Sequence, residues 1–409
     1  MPAVDTGSTA WMLVSTALVL FMTPGLALFY AGMVRRKNVL SSTMHSLFAM
    51  GLVSVIWAVI GYTLAFGGDH GGVIGGLSHL GLDGVVGAVT GTGSSAIPTS
   101  VFAMYQGMFA IITVGLISGA VAERMKFRAF VAFAALWSLL VYSPLAHWVW
   151  GGGWLQKLGA LDFAGGTVVH IASAAAALAA ALMLGKRKGY GTEELRPHNV
   201  PMSVLGAGIL WFGWFGFNAG SALGSGQLAG SACLATNLSA AAGMLVWSAT
   251  EVLTGRKPTV LGAASGAVAG LVGITPAAGF VGPMPALAIG AITGCLCYFG
   301  LRLKSRFGFD DALDVVGVHG VGGATGAILT GVFASVAVNS AGANGLLYGG
   351  GLALLGKQLV GVGATIAFSL IVSAIILKCI DLTIGLRVDV ESEATGLDVA
   401  EHAETGYEF

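Results

Sequence analysis

The chain has 409 residues, of which 56% are apolar and 9% charged, against roughly 25% charged in a soluble domain. A mean hydropathy of +0.85 excludes an ordinary soluble globule, and a formal net charge of zero leaves no basic field to hold nucleic acid. The 65 glycines follow no collagen-like period and suit closely packed membrane helices, while Cys233, Cys295, Cys297 and Cys379 all fall in apolar stretches with no disulfide or metal-finger spacing.

A membrane span takes about 20 mostly apolar residues. Charged clusters cut the chain into eleven such lengths, at about 9–33, 41–67, 98–122, 127–147, 163–185, 200–219, 228–253, 259–278, 282–301, 313–335 and 351–385. The short alternating segments of a membrane β-barrel are not present. The expected fold is therefore an all-α polytopic membrane protein in the lipid bilayer. The first span is too long, and lacks a basic leader, to read as a cleaved signal peptide. The last spans about 50 Å as a helix and must tilt or protrude. Beyond it, the tail from Asp389 to Phe409 is polar and acidic and is expected to stay loose until a partner binds it.

Basic residues alternate strictly between loops. Arg35, Arg36 and Lys37 follow span one; Arg124 and Lys126 follow span three; Lys186, Arg187, Lys188 and Arg196 follow span five. Arg256 and Lys257 follow span seven, and Arg302, Lys304 and Arg306 follow span nine, with Lys157 the exception in the other loops. The positive-inside rule then places the amino terminus outside and the carboxyl tail in the cytoplasm.

Spans one to five start outside and end inside, and spans six to ten do the reverse. That parity predicts an inverted five-plus-five repeat, about 9–185 and 200–335, with the eleventh helix added. In this reading residues 1–385 form the transmembrane domain and 386–409 the cytoplasmic tail. Spans five and ten are then equivalents, and each pairs an acid near its start with one histidine: Asp162 with His170, and Asp314 with His319.

His170 lies roughly 12 Å into span five and His319 roughly 8–10 Å into span ten, so the two approach the bilayer centre from opposite faces. Ionisable residues inside a membrane are costly and point to function. The plainer alternative is two rings satisfied separately by backbone carbonyls. Asp162 reads first as a cap for the free N–H groups of span five, and as a cation ligand second. Asp310, Asp311 and Asp314 read as caps and surface charges. Aromatic residues crowd the outer side, with Trp148, Trp150 and Trp154 after span four, Phe109 in span three and Phe217 in span six. An interfacial belt accounts for Trp11 and Trp154. A cage for a small cation is the sharper reading of the rest, and spacing alone does not choose between the two.

Six runs resemble the ammonium transporter (Amt/Mep/Rh) family on its Amt side. They are TPGLALFY at 23–30, QGMFA at 106–110, ITVGL at 112–116, DFAGGTVVH at 162–170, GWFGFNAGS at 213–221 and GVHG at 317–320. They run from the first span to the tenth in the family's order, and tail stretches at 385–388 and 396–399 are similar too. The resemblance implies that Trp150, Phe109 and Ser221 recruit ammonium. It also implies that Phe109 and Phe217 close the vestibule, that His170 and His319 line the pore with Trp214, and that Asp162 supports the recruitment site. Tyr105 stands where well-known members carry phenylalanine, which keeps a π face and adds a hydroxyl.

The implied activity is ammonium transport in the cell membrane. Ammonium gives up a proton, ammonia crosses an apolar pore, and the proton moves separately through the histidines. A homotrimer and docking of a PII-type signalling protein on the tail are likewise implied by the resemblance; no cofactor and no metal are. An intramembrane metalloenzyme fits less well, because catalytic zinc takes about three protein ligands and no H-E-x-x-H occurs. A non-conducting ammonium sensor and an Rh-like neutral ammonia channel are the nearer alternatives.

Overall fold

The structure, a computed structural model, describes residues 3–407. The helix α1 (Thr6–Met33) begins at Asp5, whose carboxylate accepts from the Ser8 N–H at 2.6 Å and so satisfies one free donor of the first turn. It is followed by α2 (Arg36–Phe66), α3 (Thr99–Val121), α4 (Phe127–Leu158), α5 (Gly166–Leu184) and α6 (Val200–Ala222). The second half holds α7 (Gln227–Leu253), α8 (Val260–Ile274), α9 (Pro283–Phe307), α10 (Val316–Phe333) and α11 (Ala353–Thr383). All but α8 are long and apolar enough to cross a membrane.

The helix α8 stops short of the predicted 278. Its 15 residues reach about 22 Å; Thr275 still has helical dihedrals, but Pro276 after it has no N–H to continue the ladder, and turns follow. At the other extreme, the 31 residues of α11 extend about 46 Å. Both helices depart from the ordinary span length.

The helix α1 lies along α6, with backbones in contact. A Cβ on Gly206 would collide with the backbone nitrogen of Phe29, and one on Gly25 with the Ile209 side chain. Small residues permit that approach where no water drives helices together. Between α2 and α3 the loop folds into two short antiparallel ribbons, pairing Asp69 with Gly75 and Val89 with Pro98. Four π-turns interrupt the helices: Trp57–Gly61, Ser138–Tyr142, Gly166–Ile171 and Val316–Gly320. Such turns add a residue and re-aim side chains.

The tail departs from expectation. Short helices α12 (Val390–Thr395) and α13 (Leu397–His402) dock on the basic end of the bundle. Asp398 accepts from the Ser41 N–H at 2.8 Å and Glu393 from the Lys188 N–H at 2.5 Å, while Arg387 pairs with Glu393 at 2.7 Å. Leu386, Val388 and Leu397 are buried beneath them. The acids expected to be solvated instead cap backbone donors, and the apolar residues between them anchor the segment. Glu408 and Phe409, the last two residues of the predicted loose tail, lie outside the described residues.

The aspartates before α10 also need correcting as surface charges. Asp310 is fully buried and takes two hydrogen bonds from the Arg187 guanidinium, each at 2.9 Å. Burial opposes its ionisation, yet the Arg187 hydrogen bonds and charge hold its carboxyl below the usual range. Arg187 also reaches Glu123 at 3.1 Å, and Glu123 pairs with Arg35. Asp311, equally buried, caps the Val316 N–H at 2.7 Å. Asp314 alone is partly exposed, in an ion pair of 2.6 Å with Lys304.

Candidate functional site

Asp162 shapes the entry to α5. Gly165 adopts a φ of 110°, which lets the chain curl around the carboxylate. One oxygen accepts from the N–H groups of Gly165 at 2.8 Å and Gly166 at 2.6 Å. The other accepts from the Thr167 N–H at 2.8 Å and from the Thr167 hydroxyl. The carboxylate is thus consumed by capping. The π-turn that follows carries His170 inward, and the π-turn opening α10 does the same for His319.

The two histidines meet. Their Nδ1 atoms are 3.1 Å apart and their rings lie 16° from parallel, with centroids 5.2 Å apart. A short contact between like ring nitrogens needs one N–H and one lone pair. If both rings are neutral, the ring donating through Nδ1 therefore has a bare Nε2, and its partner carries Nε2–H. The Nε2 of His170 is buried without a partner. Carbonyls do not satisfy these rings as a separate pair, so the plainer alternative from the sequence does not describe them.

A narrow apolar lumen surrounds the pair. Its cavity of ≈ 10 Å³ is walled by Leu26, Ile112, Val268, Trp214 and Phe217 beside the histidines, and about one water needs that much. The Trp214 ring lies 5.5 Å from His170 and is 22° from parallel to it. Phe217 caps this lumen toward the Trp150 end, packed against Phe109 with centroids 4.3 Å apart and ring planes tilted by 35°. Beyond them opens a vestibule of ≈ 320 Å³ lined by Phe109, Trp150, Ser221, Gln106 and Phe163 among others. Toward the Arg187 end the lumen continues into ≈ 30 Å³ around Tyr30, Ser265 and His319, then into a mouth of ≈ 350 Å³.

In the vestibule, Trp150 meets Phe109 edge to face at 6.1 Å. Its indole N–H donates to the carbonyl of Asp162 at 2.9 Å, leaving the ring face free. Ser221 donates its hydroxyl to the carbonyl of Phe217 at 2.8 Å, so its oxygen lone pairs remain available as acceptors. Trp150, Phe109, Ser221, Phe217, His170, His319 and Trp214 therefore lie along one path, and Asp162 stands behind it, joined through its carbonyl to Trp150.

Tyr105 lies off that path. It is fully buried behind Phe109, at 5.0 Å, and does not line the vestibule. Its hydroxyl lies 2.9 Å from both the Gly216 and the Phe217 carbonyls and 3.2 Å from the Ser221 oxygen. Sequence reasoning did not single out Gln106 or Thr275, although Gln106 stands in the matched run and Thr275 just before a proline. The apolar wall residues carry no signal beyond membership of a span. Among the described residues, no three His, Cys, Asp or Glu side chains converge as metal ligands.

A family model described as Ammonium Transporter Family matches residues 10–407. The chain is 53% identical over 403 residues to an ammonium transporter of Bacillus subtilis, covering 98% of each chain. Among solved structures it resembles Mep2 of Saccharomyces cerevisiae at a TM-score of 0.88 and 39% identity, covering 95% of this chain and 89% of that one. It also resembles a protein titled Sensor Amt Protein at a TM-score of 0.89 and 30% identity, covering 97% and 98%. The lengths, the apolar helices and the sequence agree across these comparisons, and the chain belongs to the ammonium transporter family, whose members are membrane transporters and not enzymes.

Proposed function

We propose that this transporter recruits NH4+ at Trp150, Phe109 and Ser221 from the outer side and passes NH3 and a proton separately through the lumen. The hourglass profile carries the reading, with cavities of ≈ 320 Å³ and ≈ 350 Å³ flanking ≈ 10 Å³ at the histidines. Aromatic faces attract a small cation by about 0.5–2 kcal/mol, and the Ser221 oxygen accepts one of its N–H bonds. That attraction serves potassium as well as ammonium, so it does not select.

Selection falls to the lumen. An ion without counter-charge in a narrow apolar passage loses its hydration with no replacement. Ammonium passes the Phe109 and Phe217 pair and there escapes this cost by breaking one N–H bond, so that NH3 crosses the histidine lumen neutral. The released proton goes to the unpartnered Nε2 of His170. The Nδ1–H of His170 then passes to the Nδ1 of His319, whose Nε2–H leaves toward the Arg187 end, where NH3 takes up a proton again. Asp162 supports the site by holding Trp150 through its carbonyl and the π-turn through its carboxylate.

In this reading the amino terminus faces out and the Arg187 end and tail face the cytoplasm. Residues 1–385 conduct, as two inverted halves plus α11. By resemblance three subunits assemble in the cell membrane, one pore each, and the tail, 386–409, docked over its described residues, offers a surface to a PII-type protein. The likeness to a protein titled as a sensor favours one alternative, binding without conduction.

Proteoliposomes given an ammonium jump and then an equal potassium jump test the proposal. Current with ammonium alone is expected, and His170→Asp, which adds a carboxylate to the lumen, should admit potassium. Without current, internal alkalinisation faster than in empty vesicles would mean a neutral ammonia channel, and none would mean the sensor. A His170→Asp variant as closed to potassium as the parent would overturn the account of selection.

A further inference from the structure

We propose that Thr275 is a positioning residue for conduction: it takes the indole N–H of Trp214 out of the lumen and so fixes the face that Trp214 shows to the histidines. The inference rests on the pore reading above. It starts from the C-terminal end of α8, where Thr275 stands behind Trp214, a wall residue of the lumen.

Thr275 is fully buried and does not line the lumen. Its hydroxyl donates to the Leu271 carbonyl at 2.7 Å, which fixes the oxygen and leaves its lone pairs to accept. Trp214 Nε1 donates to that oxygen at 2.9 Å. An indole N–H is a donor only, and in an apolar lumen it would seek any acceptor that passes. Ammonia is such an acceptor. Held by Thr275, the N–H is spent behind the wall, and the ring is kept nearly parallel to His170, at 22°, and 5.5 Å from Phe217.

Pro276 holds the opposite wall. Its carbonyl accepts from the Phe163 N–H at 3.1 Å, and its ring fills the place a Cβ on Gly166 would need. Gly166 opens the π-turn that carries His170. One corner of the chain therefore sets Trp214 through a hydrogen bond and His170 through packing.

Thr275→Val keeps the shape and removes the acceptor. In proteoliposomes its maximal ammonium current should fall about tenfold, because a freed buried donor turns toward the lumen. The half-saturating ammonium concentration should stay at the parent's value, since the vestibule is untouched. Thr275→Ser should restore the parent rate. In a Trp214→Phe background, which has no N–H to hold, Thr275→Val should have no further effect.

Three results would each overturn the inference: a parent-like Thr275→Val, a Thr275→Ser variant just as slow, or an undiminished effect of Thr275→Val in the Trp214→Phe background. If Thr275→Val does not purify as folded protein, Thr275→Ala replaces it with the same expectations. His170→Asp in the same vesicles separates the two readings: altered potassium permeation with a parent-like Thr275→Val sinks only the role of Thr275.

Discussion

Two segments of the molecule, 162–170 and 311–319, are built to the same local plan and finished differently. Each places an aspartate eight residues before one of the two paired histidines, and each passes through a π-turn. Three residues after the aspartate, each chain turns left-handed, at Gly165 with φ 110° and at Asp314 with φ 62°. The structural partner of Asp162 is therefore Asp311. Asp314, paired with His319 in the sequence reading, occupies the position of Gly165. The finishing differs in what surrounds the carboxylate. Asp162 is saturated by its own turn, whereas Asp311 caps one N–H and leaves Oδ1 without a partner. One end of the lumen is thus held by capping and aromatic packing, the other by ion pairs. The same backbone device serves an aromatic vestibule at one end and a charged mouth at the other.

The largest consequence of that difference is in stability. Asp162→Ala orphans five donors, two of them on glycines, at about 1 kcal/mol each or roughly 5 kcal/mol in all. Asp311→Ala orphans one and should cost about 1 kcal/mol. Denaturation of the detergent-purified variants measures both, and equal losses would break the comparison.

A pH dependence comes next. Burial, then the neighbouring charge of Asp314, pushes the Asp311 carboxyl from 3.8 up to about 6, against the pull of Lys304. A carboxyl raised in the folded state binds its proton more tightly there than in the unfolded chain. The stability it contributes is therefore full below pH 3.8 and is lost as pH rises through about 6. Asp311→Asn keeps an acceptor for Val316 and removes the titration. The parent should match it at about pH 4 and fall behind by up to about 3 kcal/mol by pH 8. Thermal midpoints across that range decide, and a constant gap would refute the assignment.

Much of this was legible beforehand. Apolar length and the alternation of basic loops are strong signals, because both reflect a solvent that accepts no unpaired charge. Asp162 reads as a cap because two glycines and a threonine follow it. The acids at 310–314 were harder, since three carboxylates in five residues look solvated until Arg187, distant in sequence, is placed among them. The tail misled in the same way, its Asp398 and Glu393 carboxylates being spent on N–H groups far off in the sequence, at Ser41 and Lys188. The early end of α8 hid in an apolar, glycine-rich run, although Pro276 marked it. Tyr105 and Phe109 stand one helical turn apart, and spacing does not say which of them faces the lumen.

The smallest effect sharpens the comparison at its functional end. Only the Asp162 segment is tied to the vestibule, through the Trp150 N–H on its carbonyl. Trp150→Leu removes a π face and that tie, and leaves the carboxylate cap and both histidines in place. Losing a cation–π contact of about 0.5–2 kcal/mol should raise the half-saturating ammonium concentration about two- to thirtyfold. The maximal current should hold, because the lumen and its proton path do not include the indole. Concentration series in proteoliposomes separate the two quantities. A fall in maximal current at unchanged half-saturation would place Trp150 in the conduction step, and the division between a recruiting vestibule and a selecting lumen would have to be redrawn.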